Sequence, residues 1–399
     1  MASTAESGLH VAINAHLLSG RASYRSAGVH QYIYHLVRHL GQADDGLRYT
    51  VLLGDGSLPP DALLPVLRSR WPTGKAPNRV LWEQLVQPWV LRRIRADLVH
   101  GPVFIGPVRA PCPAVVTIHD LSFMRFPEMF RPANRLYLSV LTRLSARRAR
   151  RLIAVSAHAA AETTRLLGVP SQRIDVIYHG VDSTFRPLPA EAVASFRQRR
   201  GLPERFMLFV GTLEPRKNLV RLVDAFARVG DGGAALVLAG GKGWLYDELF
   251  ARVEALGLRE RVIFPGFVVS EELPLWYNAA AAFVYPSVYE GFGLPVLEAQ
   301  ACGTPVLTSD ASSLPEAAGN AALMVDPYDV EALAAELDRL LTDAALRQEL
   351  RERGIGHAGQ FSWSRTAQQT ARVYRHAIAG AFQGVDGSSS PGTLDGRGA

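Results

Sequence analysis

Short apolar runs recur along this chain, separated by amphipathic segments long enough to form helices. Such runs are typical of strands in a parallel sheet that is covered on both faces. The rhythm occurs in the first half and restarts in the second, so it predicts an α/β protein with two doubly wound, Rossmann-like sheets facing a cleft. The predicted strands are residues 9–14, 49–53, 98–100, 114–118, 152–155, 174–177, 206–210, 235–239, 262–264, 282–285, 305–308 and 321–325.

The length of the chain also favours two domains, because one hydrophobic core rarely extends beyond about 250–300 residues and this chain has 399. Residues 183–204 contain three prolines and no strand pattern, which predicts a hinge. We place an N-terminal domain at residues 1–187, a C-terminal domain at 188–363 and a helix at 364–383. The tail 384–399, rich in Gly and Ser, is predicted to be disordered.

Composition argues against several classes of protein. No stretch approaches the roughly 18 consecutive apolar residues of a membrane span, and no signal-peptide core is present, so we expect a cytoplasmic protein. The two cysteines, Cys112 and Cys302, lie far apart in apolar stretches. They are predicted to be core thiols rather than a disulfide or a thiolate metal cluster.

Arginine is concentrated in two regions of the first half of the chain. A surface of this kind could bind phosphates or the inner, anionic leaflet of the cell membrane, or it could be a solvated helix face, and both interpretations stay open. Nucleic acid is disfavoured, because no interleaved aromatics or recognition motif accompany these arginines. The two groups are Arg92, Arg93 and Arg95, and Arg131, Arg135, Arg143, Arg147, Arg148, Arg150 and Arg151.

The most informative segment begins at Tyr285, where an apolar strand turns at two glycines and enters a helix. Free amides at a helix start can bind a pyrophosphate, and glycine lets the backbone approach it closely. Glu290 precedes the turn and Glu298 lies about one helical turn beyond it, so the two carboxylates can reach opposite ends of one molecule. Carboxylates often accept hydrogen bonds from vicinal hydroxyls of a sugar or ribose. The turn and helix start consist of Gly291, Phe292, Gly293 and Leu294.

A second segment, residues 206–218, is an apolar strand followed by Gly211 and a turn. Arg216 and Lys217 then stand at a predicted helix entrance, with Asn218 as the expected N-cap. Two fixed cations beside a helix start suit a diphosphate leaving group, because they neutralise the charge that grows as its bond breaks. The alternative is a solvated pair of basic residues.

Two further candidates lie in the first half. His119 directly follows the predicted strand 114–118, where it could contact a sugar hydroxyl or transfer a proton, although it could equally be structural. Gly28 ends a polar loop after the first strand and could admit a phosphate or an acceptor group. The sequence lacks both the G-x-G-x-x-G and the G-x-x-x-x-G-K-[ST] motif, which argues against dehydrogenases and ATPases.

Together these segments resemble the family-4 retaining glycosyltransferases, which have the GT-B fold, and in particular their mannosyltransferase-like members. The likeness extends from Val11 to about Gly380. Its most specific element is the E-x7-E motif formed by Glu290 and Glu298. The sequences Gly-Thr-Leu-Glu-Pro-Arg-Lys-Asn, Thr-Ile-His-Asp and His-Gly-Val-Asp accompany it in the family order.

The resemblance implies a role for each candidate. The N-terminal domain would bind the acceptor and the C-terminal domain the nucleotide sugar, with the last helix returning to the N-terminal domain. Gly211, Thr212 and Gly291 would complete the donor site. Glu290 and His119 would contact the donor sugar, and Glu298 would bind the ribose. Arg216 and Lys217 would bind the diphosphate. The amides of Phe292, Gly293 and Leu294 would contact the sugar or a phosphate, and Gly28 would lie near the phosphate and the acceptor.

The chain departs from the family pattern at two places. Many members carry Gly-Arg where this chain has Gly211 and Thr212, so more of the phosphate charge falls to Arg216 and Lys217. The N-terminal loop ends in Ala-Gly at Gly28, where Gly-Gly or Gly-Ile-Gly is common.

The resemblance also implies metal-independent transfer with retention of configuration. The nucleoside diphosphate would leave the anomeric carbon while an acceptor hydroxyl enters from the same face and passes its proton to the departing phosphate. No cofactor is expected, and GDP-mannose is the favoured donor. A glycan or lipid-linked acceptor would fit a role in polysaccharide synthesis at the inner face of the membrane.

Other functions are compatible with the same fold. A sugar-nucleotide epimerase would need no acceptor, and a phosphorylase is disfavoured because no cofactor-lysine segment is recognisable. A catalytically silent subunit that binds nucleotide sugars is a third alternative, against which the intact candidate residues argue.

Overall fold

The computed structural model describes residues 8–18, 27–130, 132–230, 233–241, 243 and 246–380. Over these residues the chain forms two parallel sheets, each flanked by helices, so the predicted α/β architecture of two Rossmann-like domains is confirmed. The domain boundaries at 187/188 and 363/364 stay predictions. The tail 384–399 and Arg131 lie outside the described residues.

The N-terminal sheet has the strand order β3-β2-β1-β4-β5-β6-β7, and the C-terminal sheet has the order β10-β9-β8-β11-β12-β13. The N-terminal strands are β1 Leu9–Asn14, β2 Leu47–Leu53, β3 Val66–Arg68, β4 Leu98–Gly101, β5 Ala114–Ile118, β6 Arg151–Ala154 and β7 Ile174–Val176. The C-terminal strands are β8 Phe206–Val210, β9 Ala235–Ala239, β10 Val262–Gly266, β11 Ala282–Tyr285, β12 Val306–Ser309 and β13 Leu323–Val325.

Helices connect the strands within each sheet. A π-helix, Trp82–Val86, joins α2 to α3. The α-helices are α1 Ala27–Leu40, α2 Ala76–Leu81, α3 Gln87–Arg93, α4 Ser122–Arg125, α5 Pro132–Arg148, α6 Ala157–Leu167, α7 Ala190–Arg200, α8 Leu219–Phe226, α9 Asp247–Ala255, α10 Leu273–Ala279, α11 Leu294–Ala301, α12 Leu314–Ala318, α13 Val330–Thr342, α14 Ala344–Ala358 and α15 Trp363–Ala379.

The central strands were predictable because both of their faces are buried, which makes them continuous apolar runs. All five residues of β5 are buried. The short edge strand β3 was not predicted, because Pro65 directly precedes it and two of its three residues are exposed. Alternate strand residues face opposite sides: Val115 packs with α1 and α15, whereas Val116 packs with the residues around α5.

The predicted hinge segment is fastened to helix α10 of the C-terminal domain. The side chain of Asn278 donates to the carbonyl of Arg186 at 3.0 Å and accepts from the amide of Leu188 at 2.9 Å. Phe196 of α7 is buried against Trp276, with ring centroids 5.3 Å apart. The chain therefore enters the C-terminal domain before these residues.

The two segments that cross between the domains lie side by side. Val181 pairs with Ser362 in an isolated parallel bridge, and the hydroxyl of Thr366 donates to the carbonyl of Tyr178 at 2.8 Å. Gly180 has no room for a side chain, because a Cβ there would lie 2.1 Å from the backbone nitrogen of Trp363. The outgoing and returning chains are thus bonded to each other.

Helix α15 returns to the N-terminal domain, as the family resemblance implied. Its buried stripe includes Trp363, Ala367, Ala371 and Tyr374, which pack against α1 and the N-terminal sheet. The hydroxyl of Tyr374 lies 2.7 Å from Nδ1 of His100. This hydrogen bond joins the last helix to β4 inside the core.

We expect Tyr374→Phe to lower the free energy of unfolding by about 1–3 kcal/mol, because Nδ1 of buried His100 loses its partner. Chemical denaturation followed by circular dichroism measures the change. The matched control is Tyr328→Phe, since Tyr328 is exposed, and its change should stay below about 0.5 kcal/mol. Equal stabilities of the two variants would contradict the structural role of the buried bond.

Candidate active site

The site lies where the strand order of the C-terminal sheet reverses. Strands β8 and β11 are neighbours, yet the chain continues from β8 toward one edge and from β11 toward the other. Ligands of open α/β sheets bind at such a switch point, beyond the carboxyl ends of the strands. The segments that follow β8 and β11 are the two richest in predicted site residues.

Glu290 is the centre of a buried ionic cluster. Its Oε1 accepts a hydrogen bond from Nζ of Lys217 at 2.5 Å, and its Oε2 accepts one from Nη1 of Arg216 at 3.1 Å. Lys217 also donates to the hydroxyl of Tyr285 at 2.5 Å, and Arg216 forms a second ion pair with Glu214. The structure therefore brings together the three predicted residues Arg216, Lys217 and Glu290.

The cluster is ionised but close to neutral as a whole. Burial opposes ionisation of Glu290, but Lys217 and Arg216 outweigh this and lower its pKa to about 2. Lys217 and Glu290 are both buried, and the ammonium lies 4.8 Å from the centre of the Tyr285 ring. With Glu214 the cluster has two cations and two carboxylates, so these cations are not the free positive pair expected from the sequence.

The turn after Glu290 is held by the loop between β12 and α12. The amide of Glu290 donates to the hydroxyl of Ser312 at 3.0 Å, and the hydroxyl of Ser313 lies 2.9 Å from the carbonyls of Glu290 and Phe292. Gly293 has φ 119°, a conformation that favours glycine. These contacts fix the direction in which α11 begins.

The start of α11 offers fewer free amides than the sequence suggested. Pro295 has no N–H, and the amide of Val296 is already bonded to the carbonyl of Gly293 at 3.0 Å. The amides of Gly293 and Leu294 have no hydrogen-bond acceptor among the described residues. They are the two backbone donors left for a ligand at this helix start.

His119 lies against the same turn from the N-terminal domain. A Cβ on Gly291 would lie 2.1 Å from the carbonyl oxygen of His119, so only glycine fits there. The ring of His119 is buried, and its Nε2 lies 2.9 Å from the carbonyl of Pro102. Burial lowers the pKa of His119, so its neutral form donates from Nε2 and leaves Nδ1 as an acceptor.

Glu298 stands apart from the ionic cluster. Its Oε2 accepts a hydrogen bond from the hydroxyl of Tyr277 at 2.8 Å. Burial raises the pKa of Glu298 to about 7, although the Tyr277 bond acts in the opposite direction. This side chain therefore differs from Glu290 in charge state near neutral pH.

Of the other predicted donor residues, Gly211 and Thr212 lie at the same edge of the C-terminal sheet, and Gly28 lies in the N-terminal domain. Gly211 is packed against Gly240, where a Cβ would lie 1.8 Å from the Gly211 carbonyl oxygen, and Thr212 contacts Gly243. Gly28 is exposed near the start of α1, and a Cβ added there would meet no described atom within 4 Å. The structure does not bring Gly28 into contact with the cluster, and residues 19–26 lie outside the described part of the chain.

Four polar residues that sequence analysis missed join the two domains beside the site. The hydroxyl of Tyr289 donates to Glu162 at 2.5 Å, and that of Ser156 donates to the carbonyl of Gly291 at 2.7 Å. The carboxylate of Glu316 accepts from the first two amides of α6, at 2.6 and 2.8 Å. The one sequence signal was Ser156 in an N-cap position; the other partners come from distant segments.

Comparison with known proteins decides the family. Residues 26–185 match the model for Glycosyltransferase Family 4, and residues 193–357 match the model for Glycosyl transferases group 1. The chain is 38% identical over 295 residues to O-antigen chain mannosyltransferase B of Escherichia coli. The aligned residues cover 72% of this chain and 77% of that protein. The chain belongs to the family-4 glycosyltransferases.

Solved structures agree with the fold of this glycosyltransferase. Sucrose-phosphate synthase from Thermosynechococcus elongatus superposes with a TM-score of 0.75 at 24% identity, covering 94% of this chain and 100% of that one. HepE from Anabaena, solved with UDP and glucose, superposes with a TM-score of 0.72 at 22% identity, covering 92% and 99% of the two chains. The predicted GT-B architecture is confirmed.

Two details of the sequence prediction for the glycosyltransferase were wrong, and a third was right only in part. Asn218 is the N-cap residue of α8 as predicted, but it has φ 61° and its side chain donates to the carbonyl of Pro327 instead of capping the helix. Arg151 is not part of a basic surface, because it is buried in a two-bond pair with Asp175. Cys112 is only half-buried, whereas Cys302 is a core thiol as predicted.

We searched the described residues for side chains that could bind a metal ion and for helices that could span a membrane. Among the described residues, no group of three or more His, Cys, Asp or Glu side chains is placed to hold a metal ion. In the same part of the chain, none of the helices has the length and apolar character needed to cross a bilayer. Metal independence stays a prediction.

We expect Glu290→Ala to destabilise the glycosyltransferase by about 3–5 kcal/mol, because Lys217 is then a buried cation without its carboxylate. Urea denaturation measures this loss. The control is Glu331→Ala, which removes an exposed partner of Arg228 and should cost less than about 0.5 kcal/mol. A loss below about 1 kcal/mol for Glu290→Ala would show that the pair is not desolvated.

Proposed function

We propose that this glycosyltransferase moves a hexose, mannose, from a nucleoside diphosphate sugar to a hydroxyl of a glycan or lipid-linked acceptor, with retention of configuration and without a metal ion. The observation that carries the proposal is the ionic cluster of Lys217, Glu290 and Arg216 beside the start of α11. At this switch point a carboxylate that can accept hydrogen bonds from sugar hydroxyls lies beside two cations that can bind a diphosphate.

Donor groups left over in the site suit a diphosphate. Arg216 uses its Nε and Nη1 within the protein, so Nη2 is still available. Lys217 has three N–H groups and uses two of them. With the amides of Gly293 and Leu294 they provide donors on two sides of the turn. Charge-assisted bonds from these groups would strengthen as negative charge develops on the leaving diphosphate.

Glu290 is proposed to hold the sugar rather than to protonate the leaving group. Its pKa of about 2 keeps it ionised at neutral pH, so it is an acceptor for sugar hydroxyls and a poor general acid. Nδ1 of His119, from the N-terminal domain, is proposed as a second acceptor for the sugar. Together they would orient the sugar between the domains.

The proposed reaction needs no protein nucleophile. The bond between the anomeric carbon and the diphosphate oxygen breaks, and the bond to the acceptor oxygen forms on the same face of the sugar. The acceptor proton passes to an oxygen of the departing diphosphate. The protein contributes position and charge stabilisation, which together account for large rate enhancements.

The donor and acceptor assignments have separate support. Mannose is favoured because the E. coli relative is named as a mannosyltransferase of the O-antigen chain, and that name also favours a glycan acceptor. HepE was solved with UDP and glucose, although it is only 22% identical. From the resemblance to mannosyltransferase-like members we propose GDP-mannose as donor, with UDP sugars as its competitors.

The test is a panel of GDP and UDP sugars assayed for nucleoside diphosphate release, with and without a mannose-terminated acceptor. GDP-mannose should give the highest kcat/KM, EDTA should have no effect, and NMR should show that the product keeps the donor's anomeric configuration. Glu290→Gln should reduce kcat/KM at least about 100-fold, whereas Glu331→Gln should not.

Two outcomes would contradict this proposal. Interconversion of the sugar without diphosphate release would indicate an epimerase. Binding of the nucleotide sugar without any turnover would indicate a silent subunit.

Glu298 is proposed to bind the ribose hydroxyls as a carboxylate, which makes donor binding pH-dependent. Because burial raises its pKa to about 7, the donor KM should fall as pH rises from about 6 to 8, by up to about tenfold. Steady-state kinetics with Glu298→Gln should show a higher KM without this dependence. An unchanged pH profile in the variant would remove Glu298 from the donor site.

Rising pH favours donor binding by Glu298, but it lowers the contribution of Glu298 to the stability of the folded protein. Between its ordinary pKa of 4.5 and about 7 the folded protein binds more protons at Glu298 than the unfolded chain does. Its contribution to stability therefore decreases as pH rises through that window. The donor should offset this loss when it binds the ionised form.

A further inference from the structure

Two neighbouring helical segments of the N-terminal domain expose matching apolar stripes. One runs along α2, the π-helix and α3, and the other along α5. Each has three large apolar side chains spaced four residues apart, and all six are 40–66% exposed. We call this surface the helical face; its apolar residues are Leu81, Leu85, Trp89, Leu136, Val140 and Leu144.

The two segments cover the same side of the sheet. Ala114 and Val116, which point to one face of β5, pack with α3 and with the residues around α5 respectively. The loop after β4 links the segments, because Gln84 binds Gly106 and Val108 while Ser145 of α5 also binds Gly106. The two stripes therefore belong to one continuous surface.

Each stripe ends in arginines at the edge of the sheet away from the cleft. Helix α5 runs from the cleft, where β5 ends, to the start of β6, and α3 likewise precedes the start of β4. Residues 84–95 and 132–151 contain no acidic residue. In the described part of the chain, these arginines form no ion pair with a carboxylate: Arg92, Arg93, Arg95, Arg135, Arg143, Arg147, Arg148 and Arg150.

A cavity of about 560 Å³ opens beside the arginines at the end of α5. Its floor is the apolar loop that contains Pro107, Val108 and Cys112, and its rim carries Arg147, Arg148 and Arg150. Arg173, also in the wall, is used internally, because it donates to the last carbonyls of α5. A cavity with an apolar floor and unneutralised cations at its rim fits a phosphate attached to an apolar chain.

We propose that the helical face docks on an anionic lipid surface, with a lipid phosphate in the cavity. Exposed apolar stripes flanked by arginine and free of acidic residues match the chemistry of an interfacial helix, whose apolar side enters the headgroup boundary. The arginines add attraction to the negative leaflet. This orientation places the start of α5, and with it the cleft, beside the lipid surface.

The charge arm of the test uses Arg147→Ser/Arg148→Ser/Arg150→Ser in sedimentation with vesicles of phosphatidylcholine, alone or mixed with phosphatidylglycerol. The protein should bind the mixed vesicles, and the variant should bind on the order of a hundredfold more weakly. The charge-matched control is Arg259→Ser/Arg339→Ser/Arg353→Ser, which removes three exposed arginines of the C-terminal domain. It should bind like the unmodified protein.

The apolar arm uses Leu136→Ser/Val140→Ser/Leu144→Ser, with Ile355→Ser on α14 as the exposed apolar control. The triple variant should lose at least about tenfold in vesicle affinity, whereas the control should not. Because these side chains are 38–66% exposed, thermal stability should fall only slightly, and diphosphate release from a soluble donor without vesicles should stay at the unmodified level. That second readout separates failure of this proposal from failure of the proposed function.

Three results would overturn the proposal. The first is equal binding to vesicles with and without phosphatidylglycerol. The second is undiminished binding by the arginine or apolar variants. The third is a dimer of the unmodified protein that the apolar variants convert to a monomer on size-exclusion chromatography, since a second copy would then cover the helical face.

Discussion

The site depends on one carboxylate, Glu290, held between two cations in a place that water hardly reaches. Three strand ends have to meet for this to happen: β8 supplies Arg216 and Lys217, β11 supplies Glu290, and β12 leads into the serines that fix its backbone. Burying such a charge is costly unless it is paired and hydrogen-bonded. The arrangement therefore constrains sequence at several positions that never touch a substrate.

The two domains meet at the same turn. Gly291 lies against the backbone of His119, Ser156 binds the Gly291 carbonyl, and Tyr289 reaches Glu162. Glu316 occupies the first amides of α6, where a helix start favours negative charge. The residues that bind across the interface are thus interleaved with those that form the ionic cluster, so closure of the domains and geometry of the site are physically coupled.

The sequence predicted most of the strands and several residues of the candidate site, but not the partners of those residues. Buried strands were predictable because burial on both faces leaves a continuous apolar run, and the glycine turn after β11 was predictable because few residues fit there. The edge strand β3 was missed because it has only three residues, two of them exposed, directly after Pro65. Partners such as Tyr289 with Glu162 were not predictable, because 127 residues separate them and neither has a local signal.

The charges and pKa values of the site residues could also not be predicted from the sequence. Adjacent basic residues suggested a free positive pair, but only the fold shows that Glu290 and Glu214 neutralise them. Likewise, Glu290 and Glu298 have the same chemistry in the sequence, and their pKa values separate to about 2 and about 7 because one meets cations and the other only a tyrosine hydroxyl.

The paired crossing of the chain near Gly180 has a mechanical consequence. Because Val181 is bonded to Ser362 and Tyr178 to Thr366, the domains are joined along a short line instead of at a single point. Rotation about that line bends two parallel connections together, whereas torsion across it would shear their hydrogen bonds. The two connections therefore keep their hydrogen bonds only in movements that bend them as one unit.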